Sequence, residues 1–123
     1  MALLAALAGT PFAPELDGAI LVLEDVNEAV YRIDRMLVQL RLSGMLRGCA
    51  GLVCGAFTNV PPGDDGERAL DDVLGETADA LGVPCVAGAP IGHVDDRWTI
   101  PLGAVAELDA DGRRLNVLPE AAR

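Results

Sequence analysis

Two side chains in the 123-residue sequence have the types and placement for acid–base chemistry, Glu24 and His93. Glu24 directly ends the apolar run Ala19-Ile20-Leu21-Val22-Leu23. His93 follows Val83-Pro84-Cys85-Val86-Ala87-Gly88 by way of Ala89-Pro90-Ile91-Gly92. An imidazole beside a carboxylate can act as a general base, because the acid fixes the ring tautomer and stabilises the imidazolium. A base needs a group to activate, and here the chain offers little. The only serine, Ser43, stands before Gly44 at the expected end of a helix, and no G-x-S-x-G elbow is present. Cys49, Cys54 and Cys85 form no C-x-x-C pair and lie in or beside apolar, strand-like runs, which reads as small buried thiols in a reducing compartment. One histidine and no His/Cys cluster give no expectation of a metal, and the glycine spacings match neither a Walker loop nor a dinucleotide fingerprint, so no cofactor is expected. On spacing alone, a lone histidine on a glycine-rich loop is readily incidental, and Glu24 could cap the helix that follows. The residues amount to two thirds of a triad.

The elements that must position this pair follow from the hydrophobic pattern. Residues 19–24 and 50–55 read as continuous apolar strands of the kind buried on both faces of a parallel sheet, and 85–88 as a third, shorter one. Between the first two, Ile33, Met36, Leu37 and Leu40 recur at helical spacing from about Glu28 to Ser43. Asn27 is the expected N-cap, Glu28 and Arg32 an i, i+4 pair, and Gly44 the stop. Pro61-Pro62-Gly63-Asp64-Asp65-Gly66 predicts a loop, and Leu70, Val73, Leu74 and Ala78 predict a helix ended by Gly82. Two strand–helix–strand units imply right-handed crossovers. With both helices on one face the strand order is 1-2-3. Glu24 and His93 then start about 9–10 Å apart, two strand spacings, and the Gly92 loop must carry His93 inward. Order 2-1-3 would make them neighbours. Trp98 to Leu102 reads as extended; Trp98 could contact substrate or, at least as readily, be a partly buried aromatic sealing a second layer. Residues 104–118 read as an antiparallel hairpin around Asp109-Ala110-Asp111-Gly112. In open α/β sheets, ligands meet the carboxyl ends of the strands, where both Glu24 and His93 are predicted to emerge.

Composition narrows the function classes. The chain is 51% hydrophobic with only 3% aromatic residues, so its core is aliphatic, and its length suits one domain. A formal net charge of −10 argues against nucleic acid. Asp64, Asp65, Glu67, Asp71 and Asp72 crowd together without the spacing of a calcium loop, as a solvated face does. No apolar run is long enough for a membrane span, and residues 1–8 lack the positive flank of a signal peptide and read as a short helix, so a cytoplasmic protein is expected. Tyr31, Arg32, Asp34 and Arg35 fit helix-surface ion pairs better than a substrate or subunit surface.

Several stretches carry a family resemblance. Leu7-Ala8-Gly9-Thr10-Pro11, Gly18 to Asp25, Glu28, Tyr31 to Leu37, Gln39-Leu40 with Ser43-Gly44, Gly55-Ala56-Phe57, Gly92-His93 and Ile100-Pro101-Leu102-Gly103 closely resemble the LD-carboxypeptidase family, in order and over essentially the whole chain. The resemblance implies a two-domain, cytoplasmic, homodimeric serine peptidase that releases a terminal D-alanine from murein tetrapeptides. Residues 1–123 correspond to its C-terminal domain, of the swivelling β/β/α type. By resemblance Glu24 is the triad acid and His93 the base, whereas the nucleophilic serine belongs to an N-terminal domain not contained in these 123 residues, so the chain alone is expected to be inactive. Two other readings stay open: a peptidase of the family's microcin self-immunity branch, with the Tyr31–Leu37 stretch closer to the murein branch, and a noncatalytic α/β module.

Overall fold

The computed structural model describes residues 1–63, 66 and 68–119. Three parallel strands, β1 (Ile20–Val26), β2 (Gly51–Thr58) and β3 (Cys85–Ala87), form one sheet in the order β1-β2-β3. Helices α2 (Val30–Leu42) and α3 (Leu70–Leu81) make the two crossovers, and α1 (Ala2–Leu7) packs on α2. An antiparallel pair, β4 (Ala106–Asp109) and β5 (Arg114–Val117), completes the regular structure among the described residues.

Side chains alternate across a strand, so each face of the sheet has its own set. Leu21, Leu23, Cys54 and Cys85 face the helices and pack with Ile33 and Leu37 of α2 and Val73 and Leu74 of α3. The opposite set, Ile20, Val22 and Glu24 on β1 with Gly51, Val53 and Gly55 on β2, faces the hairpin: a Cβ at Gly51 would meet Leu108 Cδ2. The layers are therefore hairpin, sheet and helices, and both crossover helices share one face, which is the condition that fixes the order 1-2-3.

Several expectations change in detail. Burial on both faces holds for β2, whose first five residues are all buried, but not for β1, where only Leu23 is. β1 is an edge strand, and a groove of about 420 Å³ runs along its hairpin side between Ile20, Val22, Ile100, Leu115 and Val117. Asn27 is not the cap of α2. It takes a left-handed conformation (φ 60°) and donates its N–H to Thr58 O at 3.0 Å, extending the β1–β2 ladder, while Ala29 takes the cap position without a side-chain bond. Glu28 and Arg32 do pair, at 3.4 Å. Gly82 ends α3 in the left-handed conformation that glycine adopts without a Cβ penalty. Residues 98–102 form no strand and Trp98 is 56% exposed, so it seals nothing; only its N–H is tied, to Pro90 O at 2.8 Å. The hairpin strands are shorter than 104–118, chiefly at their outer ends, and Asp109 gathers the connection, accepting from Gly112 N–H at 2.8 Å and from Arg114 at 2.7 Å. Asp64, Asp65 and Glu67 of the acidic crowd lie outside the described residues, while Asp71 and Asp72 are exposed in the first turn of α3, where the helix dipole favours them.

Candidate active site

Glu24 stands near the carboxyl end of β1 on the hairpin face, and its backbone is held by the ladder to β2. His93 starts from the far edge of the sheet, after β3. The loop from Gly88 to Gly92 folds back over the end of β2 instead of leaving it. Ala89 N–H donates to Cys54 O at 3.2 Å, and Ala56 N–H donates to Ile91 O at 2.8 Å. Ile91 is only 7% exposed, so the crossing is packed down on the sheet. At its end, His93 Nδ1 lies 2.7 Å from Glu24 Oε2, a hydrogen bond that closes a sequence separation of 69 residues. The inward reach required by order 1-2-3 is thus accomplished by this loop.

Gly92 makes the last step possible for two reasons. Its φ of +116° is one that side-chain-bearing residues rarely adopt, and a Cβ there would stand 2.5 Å from Glu24 Oε2 and 3.0 Å from Glu24 Cβ and Cγ. The backbone of Gly92 occupies the space beside the Glu24 stem, and the imidazole is delivered to the carboxylate from there. The His93 side chain is 60% exposed and that of Glu24 28%, so the pair is open to solvent with the carboxylate the more sheltered member.

Neighbouring acids have other engagements. Asp25 accepts from Val26 N–H at 2.9 Å and Ala2 N–H at 3.0 Å and lies 3.3 Å from the Met1 amino group. Burial pushes its carboxyl up, but these bonds outweigh it and hold Asp25 below the ordinary carboxylate value. Glu28 is paired with Arg32. Of Glu24, Asp25 and Glu28, the structure brings only Glu24 to His93. Ser43 Oγ donates to Leu40 O at 2.9 Å at the end of α2, capping that helix. Tyr31 and Arg32 lie on the exposed face of α2, and Asp34 pairs with Arg68 at 3.1 Å across to the loop before α3. Among the described residues no group of three or more His, Cys, Asp or Glu side chains could hold a metal ion. Cys54 and Cys85 face each other at 3.9 Å between Sγ atoms on the helix side, and Cys85 is half-buried rather than buried.

Sequence reasoning missed the role of Gly55 and Ala56. Leu23 pairs with Cys54 and Asp25 with Phe57, so Gly55 and Ala56 together oppose Glu24. The only visible signal was a glycine in an apolar strand, which indicates close backbone approach without saying whose backbone approaches.

Residues 1–108 match the family model described as the LD-carboxypeptidase C-terminal domain. The murein tetrapeptide carboxypeptidase of Pseudomonas aeruginosa is 39% identical over 115 residues, covering 91% of this chain and 36% of its own length. A solved structure, the muramoyltetrapeptide carboxypeptidase of Oxalobacter formigenes, superposes with a TM-score of 0.77 at 40% identity over 85% of this chain and 37% of the other. The microcin C7 self-immunity protein MccF shares the fold, with a TM-score of 0.80 at 23% identity over 97% of this chain and 36% of that one. The chain thus spans about a third of the length of the curated relatives it matches.

Proposed function

Because this chain belongs to the LD-carboxypeptidase family, as a C-terminal domain, we propose that it supplies the acid and base of a serine carboxypeptidase that releases terminal D-alanine from murein tetrapeptide. The single observation that carries the reading is the 2.7 Å contact between Glu24 and His93 at the carboxyl ends of the strands. In this mechanism Glu24 holds the Nδ1–H tautomer, and Nε2 takes the proton of a serine hydroxyl supplied by the preceding domain. The serine attacks the carbonyl of the bond to D-alanine. His93 returns the proton to the departing amine, and water then releases the acyl group along the same path. Glu24 orients the ring and stabilises the imidazolium as it forms.

The substrate assignment is supported by the identities, 39% to the murein tetrapeptide enzyme against 26% to the microcin C7 self-immunity protein over comparable lengths. A cytoplasmic setting fits the three free thiols. Among the described residues no helix is long and apolar enough to cross a membrane. A homodimer is the assembly the family resemblance implies. Among the described residues no hydroxyl or thiol is hydrogen-bonded to His93, so the chain alone should release no D-alanine.

The test is to join the chain to the domain that precedes it in the family's layout and assay D-alanine release from murein tetrapeptide. Turnover is expected from the joined enzyme only, abolished by His93→Ala and reduced roughly a hundredfold or more in kcat by Glu24→Gln. Turnover that survives His93→Ala, or that the 123-residue chain achieves by itself, would falsify the assignment.

A further inference from the structure

The bulge in β2 and the loop that carries His93 meet at one residue. Because Gly55 and Ala56 both oppose Glu24, the ladder to β1 is interrupted there, and a bulge of this kind re-aims the groups around it. Ala56 N–H accordingly points at the loop and donates to Ile91 O at 2.8 Å, while Cys54 O, one residue to the other side of Gly55, accepts from Ala89 N–H at 3.2 Å. Gly55 sits between these two bonds. A Cβ on it would lie 2.5 Å from Ile91 O and 3.3 Å from Ile91 C and Cβ. These are backbone and stem atoms of a buried residue, so they could not swing aside as a flexible side-chain end does. Gly55 is not among the positive-φ glycines, so the requirement at this position is space and not backbone conformation.

We propose that Gly55 is a positioning residue for the Glu24–His93 pair. The missing side chain lets the loop lie flat across β2, and any side chain would lift Ile91 and withdraw the imidazole from the carboxylate. The inference rests on the reading of Glu24 and His93 as the catalytic pair, and it deepens that reading by naming the residue that brings the two groups together. Gly55 acts through the loop, two residues before His93, and touches no reacting atom in the mechanism above.

His93 is the only histidine, so its ring nitrogens give unambiguous NMR signals that report which nitrogen carries the proton. At a pH where the ring is neutral, the Nδ1–H tautomer should dominate in the wild-type chain and recede to the minor form in Glu24→Ala. Gly55→Ala should give the Glu24→Ala pattern while remaining folded by circular dichroism. Gly75→Ala, in α3 with nothing within 4 Å of an added Cβ, should give the wild-type pattern. A folded Gly55→Ala chain with the wild-type tautomer overturns the proposal. If Gly55→Ala does not fold, hydrogen exchange on the wild-type chain decides: the Ala56 amide, bonded to Ile91 O, should be protected well beyond an exposed loop amide though less than those of Val53 and Cys54, and exchange as fast as an exposed loop amide overturns the proposal. Neither measurement depends on turnover. Activity that survives His93→Ala refutes the catalytic reading and leaves the geometry standing, whereas a wild-type tautomer in Gly55→Ala does the reverse.

Discussion

Glu24 and His93 were both legible in the sequence because each follows an apolar run, and the carboxyl ends of parallel strands converge on one edge. Their contact was not legible, since it depends on the path of a loop, and loops carry no periodicity to read. Gly92 supplied half the signal; its requirement for φ +116° is local, but its fit against the Glu24 stem exists only once the strands are assembled. The cysteines show the same limit. Their apolar neighbours implied burial, yet Cys54 and Cys85 prove to be a facing pair, and the pairing changes their acidity. The contact with Cys85 and burial both raise the Cys54 thiol far above its ordinary value. The same contact, outweighing burial, lowers Cys85 to about 7. Alkylation of Cys85 should therefore rise through pH about 7, and in Cys54→Ala the midpoint should return toward the ordinary 9.0; an unchanged midpoint would show that the partner thiol is not the cause. A folded value below the unfolded one gives Cys85 a stabilising contribution that is present above pH 9.0 and lost as pH falls through about 7, and it is opposed by Cys54, whose raised value removes stability as pH rises above 9.0.

At the scale of elements, the two crossover helices were read closely because their apolar stripes have the helical period and tertiary packing confirms the same faces. Ile33 is fully buried between α2, α3 and the sheet. Ile33→Ala should cost about 2–5 kcal/mol in denaturant unfolding, the range for truncating a buried aliphatic side chain. By contrast, Arg68 bridges Asp34 and Glu76 at the surface, with 42% of its side chain exposed. Arg68→Ala should leave the denaturation midpoint nearly unchanged, because exposed ion pairs are screened and entropically costly. A reversal of that ranking would mean that charge and not apolar packing joins α2 to α3. The boundaries were less legible than the faces. Asn27 has the chemistry of a cap, but the backbone ladder to Thr58 claims its N–H and moves the helix start to Val30. β1 has the composition of a central strand, yet its place at the sheet edge depends on where both helices lie, and no property of its own residues records that.

The whole molecule exposes more than its size requires. Its surface is 8004 Å², against about 6,300 Å² expected of a compact 12.8 kDa monomer. The surplus includes large apolar side chains: Leu102 is 91% exposed and Val105 70%, beside the groove along β1. This surplus is about twice what one partner contributes to a standard interface, about 800 Å². Fusion to the N-terminal domain proposed above should accordingly raise the chain's thermal midpoint by several degrees, a shift that scanning calorimetry on the two forms would read; equal midpoints would mean that the extra surface stays bare.

The two members of the proposed acid–base pair do not share one anchorage. Glu24 belongs to a 7-residue strand hydrogen-bonded to the 8-residue β2, whereas His93 hangs from the 3-residue β3 and a loop held by a few backbone bonds. Short, weakly tethered segments open at lower free energy than the strands they lie on. Warming should therefore release the imidazole from its carboxylate by sub-global opening before the molecule melts. The joined enzyme should lose activity reversibly some degrees below the temperature at which its far-ultraviolet circular dichroism changes. Coincident loss of both signals would place the loop and the sheet in a single cooperative unit.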